Sequence, residues 1–379
     1  MASDSPDPLI ATIGMARFLY DDDADNILEL DLGSYHPGAH GGLELQLQVR
    51  SGVVESCLVR PGLMHRSAEK LFEARDYRQI MMLANRHDWV SAVSSELGVA
   101  LAVEQATGIV PPDRATWSRM VLAEAGRIGA SALLLAALGL PGCLELRERW
   151  VNWQEAATGG RVHPMINRIG GLQAPIPSAQ LDALSALAGG VQQDANSWRH
   201  AIESLHDLSE LAVLEEAAGC DFACSGPVGQ ASGVDWDLRR DDPYLFYGQI
   251  DADWSLPVHT AGDAAARYLS LIDGMELSAR IIDSCIAPLA ALQGQPVSVT
   301  LPKTLRAPET TVHVRTQNPL GIAGWLLVSD GDVMPLRLKA RTPSFAHLQA
   351  MQRALVGTPV SALSAAVASF FFVTGDADR

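Results

Sequence analysis

Three long helical patterns follow one another between residues 66 and 158, and they constrain the fold more than any other feature of the sequence. Apolar residues recur at helical spacing in EKLFEARDYRQIMMLAN, in DWVSAVSSELGVALAVEQATG and in PPDRATWSRMVLAEAGRIGASALLLAAL. Gly108 closes the second pattern, Pro111-Pro112 opens the third, and a shorter helix ends at Gly159-Gly160. A chain with these patterns is expected to contain a helical bundle.

Strand patterns flank this region on both sides. Residues alternate between apolar and polar at 27–33, 42–50 and 53–60, and a hairpin-type connection at Ser51-Gly52 precedes the third run. Strands return at 310–316, 324–331 and 333–340, where Asp330-Gly331 predicts a tight hairpin turn. Two further long helices are expected at 179–217, with a break at Gly189-Gly190, and at 263–293, after a Gly- and Pro-rich loop at 161–178.

The sequence therefore predicts an α+β fold, with a central bundle of long helices flanked by a small N-terminal antiparallel sheet and by C-terminal strands. Four segments are expected: an acidic N-terminal extension (1–25), the N-terminal sheet with its loop (26–60), the helical core (61–300), and the C-terminal strands and helix packed on that core (301–379).

Charge and cysteine content exclude several classes of protein. The 379 residues carry 28 basic and 44 acidic side chains, a net charge of −16, so the chain lacks the positive surface that binds nucleic acid phosphates. Five scattered cysteines do not form a disulfide framework, and Cys220 and Cys224 lack a second pair to complete a metal site. The acidic N-terminus is unlike a signal peptide, so we expect a cytoplasmic chain.

Two apolar stretches are long enough to be compared with membrane spans. The run 120–142 contains Glu124 and Arg127, which are costly in a bilayer, so it is expected to be a buried helix of a soluble protein. The run 355–375 is uncharged but rich in small residues, and it is interpreted as a core helix followed by a buried strand at SFFFV.

The motif HPGAHG, from His36 to Gly41, lies between two predicted strands and is the most informative candidate site. It places two titratable imidazoles in a glycine-containing loop. The sequence contains neither a dinucleotide-binding GxGxxG after a strand nor a P-loop. NADH is therefore not expected to bind this chain directly.

The order of several short motifs resembles one family. HPGAHG is followed by LMHRSAEK (63–70), NRHDWVSAVSSELGVALAVE (85–104), LAEAGRI (122–128), DWDLR (235–239), DPYLFY (242–247), GDAAARYL (262–269), LVSDG (327–331), SFAHL (344–348) and a terminal Asp378-Arg379. This series, over about residues 27 to 379, resembles the D subunit (49 kDa) family of NADH-quinone oxidoreductase, respiratory complex I, which is related to the large subunits of nickel-iron hydrogenases.

The resemblance implies a place in the peripheral arm, next to a partner subunit that carries a 4Fe-4S cluster, and a role in a quinone cavity. Its second motif histidine corresponds to His40, the expected catalytic residue, and His36 and Gly41 belong to the same loop. Expected partners are an iron-sulfur chain of the B-like type, a C-like chain and an H-like membrane chain. The protein would then lie on the cytoplasmic side of the plasma membrane, bind no cofactor or metal alone, and take quinone as substrate.

The sequence departs from this family at the site itself. The position of the family's tyrosine falls on Trp89, and an indole is not a usable proton source. The family's aspartate that supports the histidine falls on Pro141, and its glutamine before the HP pair is Tyr35, which would offer a phenol to the same cavity. For His40 itself, a hydrogen bond that merely stabilises the loop is the alternative interpretation.

Several charged residues of the matched motifs are expected to be structural or to lie at interfaces. They are Arg66, Glu69, Lys70, Glu96, Glu104, Glu124 and Arg127, on helices whose hydrophobic pattern indicates burial. Glu124 and Arg127, at i and i+3, predict a buried polar network. The resemblance allows Arg66 to face the partner's cluster, and ordinary salt bridging is the alternative for all of them.

Two hypotheses of function follow. In the first, the chain helps to build the quinone cavity of an NADH-quinone oxidoreductase, although alone it would be inactive. In the second, it is a divergent scaffold subunit of a related membrane-associated or hydrogenase-like complex that has lost proton-coupled chemistry. Nickel binding is not expected, because NRHDWV and the C-terminal FFFVTGDADR contain none of the required cysteine pairs.

Overall fold

A computed structural model describes residues 6–20, 26–251 and 253–379. The strands of these residues are β1 (Asp7–Gly14), β2 (Ile27–Glu29), β3 (Gly42–Arg50), β4 (Val53–Arg60), β5 (Asn167–Arg168), β6 (Gly171–Leu172), β7 (Thr310–Asn318), β8 (Gly321–Ser329) and β9 (Arg337–Arg341). The helices are α1 (Ala68–Glu73), α2 (Ile80–His87), α3 (Ala92–Thr107), α4 (Asp113–Ala137), α5 (Cys143–Thr158), α6 (Ser178–Glu203), α7 (Glu216–Asp221), α8 (Gly226–Ala231), α9 (Leu238–Asp241), α10 (Ala264–Ala291), α11 (Pro343–Ala354), α12 (Leu363–Ala368) and α13 (Thr374–Ala377). The predicted α+β class is confirmed.

The N-terminal sheet has the strand order β2-β1-β3-β4. The predicted hairpin of β3 and β4 is confirmed, and its turn residues Ser51 and Gly52 both have positive φ, 51° and 77°, as a tight hairpin turn requires. The expectation of a purely antiparallel sheet was wrong, because β2 pairs with β1 in parallel. The predicted strand at 27–33 is also shorter, since β2 ends at Glu29.

Strand β1 lies inside the segment that was expected to be an N-terminal extension. It pairs along its whole length with β3, from Asp7 opposite Val49 to Gly14 opposite Gly42. Its sequence lacks alternation because Ala11, Thr12 and Ile13 are all buried. The strand pattern is therefore invisible to a search for period two. The acidic run at 21–25 lies outside the described residues.

The long helices form the interior. Helix α10 packs along both α4 and α6. Helix α3 ends at Gly108 in the left-handed conformation, and α4 starts directly after Pro112, as predicted. Helix α6 was expected to break at Gly189-Gly190 but is continuous, because Leu184, Leu187, Val191 and Ala195 bury one face on both sides of the glycines.

One helix of the described residues is long and apolar enough to cross a membrane by length and composition. This helix is α4, and 78% of its most apolar window is buried inside the protein. The expectation of a buried helix in this region is therefore supported by its packing against α5 and α10.

The C-terminal sheet has the order β7-β8-β9. The tight turn predicted at Asp330-Gly331 was wrong: the two-residue connection is Pro319-Leu320, between β7 and β8, and a longer loop joins β8 to β9. The strand predicted at SFFFV was also wrong. Phe370, Phe371 and Phe372 are fully buried, but they follow α12 as irregular chain, and Phe371 has a φ of 44°, which no strand residue adopts.

Candidate functional site

The HPGAHG loop forms one turn of 3-10 helix at Pro37–Ala39, with His36 as its N-cap. The amide of Gly38 donates to Nδ1 of His36 (3.0 Å), and Nε2 of His36 lies 2.8 Å from the carbonyl oxygen of Ala368. Because Nδ1 accepts and Nε2 donates, the ring is neutral, and burial lowers the pKa of His36 to about 4. Both ring nitrogens of His36 are thus used to hold the loop.

His40 ends the same turn but is exposed. Its ring meets that of Trp89 edge-to-face, with centroids 5.9 Å apart and planes at 70°. Its backbone carbonyl accepts a long hydrogen bond (3.5 Å) from the hydroxyl of Thr374. Within the described residues no side chain hydrogen-bonds to the imidazole. His40 therefore presents an exposed ring beside Trp89.

The C-terminal segment 372–378 packs against this loop and the chain that follows it. A Cβ added at Gly41 would lie 1.8 Å from Oγ1 of Thr374, and one added at Gly38 would lie 2.7 Å from the ring of Phe372. Further along, the side-chain carboxylate of Asp378 accepts from the amides of Gly62 (2.7 Å) and Met64 (2.8 Å). The position of His40 is thus set by contacts with the end of the chain.

The substitution Gly41→Ala is expected to destabilise the protein by about 1–3 kcal/mol, since the new methyl group would overlap Thr374 and push the loop outward. Thermal unfolding followed by circular dichroism measures this effect. The control is Gly189→Ala, where a Cβ meets nothing within 4 Å and the helix should gain stability. Equal melting temperatures for wild type and Gly41→Ala would show that the loop is not held this way.

Trp89 precedes α3 and lines a narrow groove between α3, α4 and α5. The groove is mixed in character: Leu133 and Trp150 contribute apolar surface, while Arg147 and Arg161 stand along it. The indole nitrogen of Trp150 is buried without a hydrogen-bond partner among the described residues. His40 does not line this groove. Trp89 does line it, and the indole ring of Trp89 also contacts the imidazole of His40.

The structure provides no carboxylate at the position of the family's aspartate. Pro141 is exposed, and its carbonyl accepts a hydrogen bond (3.3 Å) from Nε1 of Trp198 on α6. Tyr35 is also exposed, with 45% of its surface accessible. Among the described residues, the imidazole of His40 consequently contacts the ring of Trp89, Thr374 bonds only its backbone carbonyl, and no acidic side chain bonds it.

The charged residues of the LMHRSAEK motif are less buried than expected. Arg66 and Lys70 are exposed, because α1 is a short surface helix with only Phe72 fully buried. Lys70 pairs with Glu73 (2.6 Å). Glu69 is half-buried, binds Arg337 and the terminal Arg379, and accepts from the amide of Ala340 (3.1 Å). The expectation of burial is therefore wrong for Arg66 and Lys70.

Glu124 and Arg127 are buried together in the interior. Oε2 of Glu124 lies 3.1 Å from Nε of Arg127 and 2.7 Å from Nη1 of Arg239, and it accepts from the hydroxyl of Ser278 (2.6 Å). Oε1 accepts from Tyr247 (2.6 Å). Burial alone would raise the pKa of Glu124, but Arg239 and Arg127 outweigh it and lower the pKa to about 2.

Two further buried glutamates lie on α3. Glu104 forms a two-pronged ion pair with Arg119, at 2.7 and 2.9 Å. Glu96 has no cationic partner among the described residues and is bound by Asn85 and by the amide of Asn167 (3.0 Å). Burial raises the pKa of Glu96 to about 7.

Three buried residues without a role predicted from the sequence lie close to Trp89, and two of them directly precede it in the chain. Nε2 of His87 lies 2.8 Å from Oδ1 of Asp376, and both residues are buried, as is Asp88. The letters HD in NRHDWV are the only local signal, and Asp376 comes from the opposite end of the chain. No group of three or more metal-ligating side chains occurs in the described ranges.

Known proteins with similar sequences were compared with this chain. The family described as the respiratory-chain NADH dehydrogenase 49 Kd subunit matches residues 139–304 and 297–379. The D 2 subunit of the NADH-quinone oxidoreductase of Streptomyces griseus is 41% identical over 92% of this chain and 92% of its own length. The chain belongs to the D subunit (49 kDa) family of NADH-quinone oxidoreductase.

Relatives outside the genus Streptomyces extend the same match along nearly the whole chain. The D 2 subunit of Salinispora tropica is 42% identical, with 92% of each chain covered. The D subunit of Protochlamydia amoebophila is 32% identical over 94% of this chain and 97% of its own. The resemblance inferred from the motifs is confirmed, and the protein is a subunit of the respiratory complex I type of enzyme.

Proposed function

We propose that this member of the 49 kDa subunit family forms part of the quinone cavity of its complex, with His40 as the polar group that contacts the quinone headgroup. The supporting observation is the free imidazole of His40, held edge-on to Trp89 beside a groove. Its other expected neighbours have different roles. His36 holds the loop from inside, and Gly41 admits Thr374 without a clash.

The chemistry suits an imidazole. Reduction of a quinone to a quinol consumes two electrons and two protons. An imidazole whose ordinary pKa is about 6.5 donates a hydrogen bond to one carbonyl and a proton as negative charge develops. In our proposal this chain contributes no ligands to an iron-sulfur cluster. The electrons therefore reach the quinone from the 4Fe-4S cluster of the partner subunit. The exposed Arg66 is the cation that would face that cluster.

The partners in our proposal are a B-like iron-sulfur chain, a C-like chain and an H-like membrane chain. Apolar side chains near the HPGAHG loop support the last of these: Met15, Phe18 and Leu19 are 64%, 76% and 59% exposed. Their turn packs beside Gly42, at the start of β3. A contiguous exposed apolar patch indicates a protein interface. Binding there would hold the chain on the cytoplasmic side of the membrane.

Affinity purification of the tagged chain from native membranes in mild detergent tests this proposal. We expect iron-sulfur and membrane subunits to copurify, together with inhibitor-sensitive reduction of quinone by NADH. Recovery of the chain alone would contradict the proposed partners. Recovery of all partners without quinone reduction would instead support the second candidate, a scaffold subunit.

The second candidate is favoured by the resemblance, which implies a phenol and a carboxylate where this sequence has Trp89 and Pro141. It is tested by Trp89→Tyr, which restores a phenol next to His40. If the site is catalytic, the assembled variant should retain or increase its rate of quinone reduction. If the native complex does not reduce quinone and Trp89→Tyr brings no activity, the scaffold role is supported and the catalytic proposal fails.

A further inference from the structure

Behind Trp89, two carboxylates and an imidazole are buried without any lysine or arginine paired to them in the described part of the chain. Asp88, Asp376 and His87 are 1%, 2% and 5% exposed. Nε2 of His87 lies 2.8 Å from Oδ1 of Asp376. Both ring nitrogens of His87 and Oδ2 of Asp376 lack a hydrogen bond of normal geometry among the described residues, so the 2.8 Å contact is an electrostatic one. Such atoms are rare in native proteins and point to a group that exchanges protons.

Burial of two carboxylates with one imidazole favours retention of an extra proton. An ionised carboxylate is costly in a low-dielectric interior, and two nearby carboxylates disfavour each other's ionisation. Burial, and after it the charge of Asp376, raises the pKa of Asp88 to about 7. The environment of Asp88 therefore favours its protonated form.

Ser91 connects this cluster to the groove. Its amide donates to Oδ1 of Asp88 (3.1 Å), and its hydroxyl oxygen is buried with no partner in the described ranges. Ser91 and Trp89 both line the groove. The Ser91 side chain acts on the Asp88 carboxyl group, whose pKa it lowers, and Ser91 also borders the groove beside Trp89.

We propose that Asp88, backed by His87 and Asp376, stores a proton and delivers it through the Ser91 hydroxyl to quinone in the groove. This inference rests on the proposed function. The O–H bond of protonated Asp88 breaks as Ser91 accepts that proton and passes its own hydroxyl proton to a quinone oxygen. Two successive one-electron transfers from the partner subunit would reduce the quinone, whose second oxygen takes a proton from His40, and two protons from solvent would then restore Asp88 and His40.

Charged and titratable groups on the packed elements complete the surroundings. Those facing Asp376 are Arg341 at the end of β9 and His347 on α11, and Arg66 lies close to Gly375. The nearest acidic group on α3 is Glu96, whose hydrogen bonds go to Asn85 and Asn167. Glu96 shares the burial and the raised pKa of Asp88, but its hydrogen-bond partners do not line the groove. It is therefore a matched control.

The test is the pH dependence of kcat for quinone reduction by the assembled complex. A protonated donor is lost as pH rises, so the wild type should lose rate through a limb centred near pH 7. Asp88→Asn should lower kcat at least tenfold below that limb, remove the limb and leave the KM for quinone unchanged. Asp88→Glu should restore the limb near pH 7, and Glu96→Gln should keep that limb.

Infrared difference spectroscopy on the same complexes separates the two proposals. The carbonyl stretch of a protonated carboxyl group should titrate near pH 7 in the wild type and in Glu96→Gln, and should lose the Asp88 contribution in Asp88→Asn. The proposed role of Asp88 would be wrong if Asp88→Asn kept the kcat and the pH profile of the wild type. It would also be wrong if Asp88 were ionised at pH 6. If the Asp88 carboxyl group titrates as expected but the complex does not reduce quinone, the proposed function is wrong instead. Should Asp88→Asn not assemble, Ser91→Ala must lower kcat without changing the carboxyl titration.

Discussion

Replacing His40 by alanine is expected to lower quinone reduction by the assembled complex about 100-fold, because removal of a general acid typically costs two or more orders of magnitude. The side chain is exposed and makes no hydrogen bond through its ring to the described residues, so the fold should not depend on it. The measurement is the NADH-to-quinone rate, normalised to NADH oxidation by an artificial acceptor that does not use the quinone site.

Two variants control for loss of a histidine and for loss of the neighbouring phenol. His206→Ala removes an exposed histidine from a different part of the molecule and should leave the rate unchanged. Tyr35→Phe tests the phenol beside the motif and should have little effect if His40 is the donor. An unaltered rate and quinone affinity in His40→Ala would remove His40 from the site and leave the loop-stabilising interpretation.

The largest expected effect on stability is that of Glu124→Ala. It should lower the free energy of unfolding by about 3–5 kcal/mol, because removal of one partner leaves the buried Arg127 and part of the Arg239 charge uncompensated. It also leaves the hydroxyl groups of Tyr247 and Ser278 without their acceptor. Chemical denaturation of the purified chain measures the loss.

The control is Glu148→Ala, which breaks surface ion pairs with Arg147 and Arg161 and should cost less than about 1 kcal/mol. The stabilisation by Glu124 also has a defined pH dependence. Since its folded-state pKa is lowered to about 2, the contribution is present above the unfolded pKa and is lost as the pH falls from there through the folded pKa. If Glu124→Ala lost no more unfolding free energy than Glu148→Ala, the buried network would not stabilise the protein as expected.

Local patterns in the sequence predicted the features that depend on local physics. Helix ends at Gly108 and after Pro112 follow from backbone geometry, and the pairing of Glu124 with Arg127 follows from spacing on one helix. The sequence pattern missed β1 because its residues are buried on both faces and do not alternate. The burial of Phe370–Val373 was expected, but a left-handed residue excludes the strand.

The site was predictable only where one motif contains it. HPGAHG identified a candidate loop, and the resemblance predicted that Trp89 belongs to the same site; the two rings are in contact, and a shared role stays a prediction. The contact of His87 with Asp376 joins distant parts of the chain that no local pattern relates. The exposure of Lys70 likewise depends on how the short helix α1 lies on the surface, which periodicity over six residues does not determine.

Photolabelling of the assembled complex with an azido-quinone tests the central claim most directly. We predict label on peptides that contain His40 or Trp89, displacement of that label by excess quinone, and its loss when quinone reduction is blocked by a competitive inhibitor. Active complex with displaceable label only on other subunits, and none on these two segments, would contradict a quinone site in this chain.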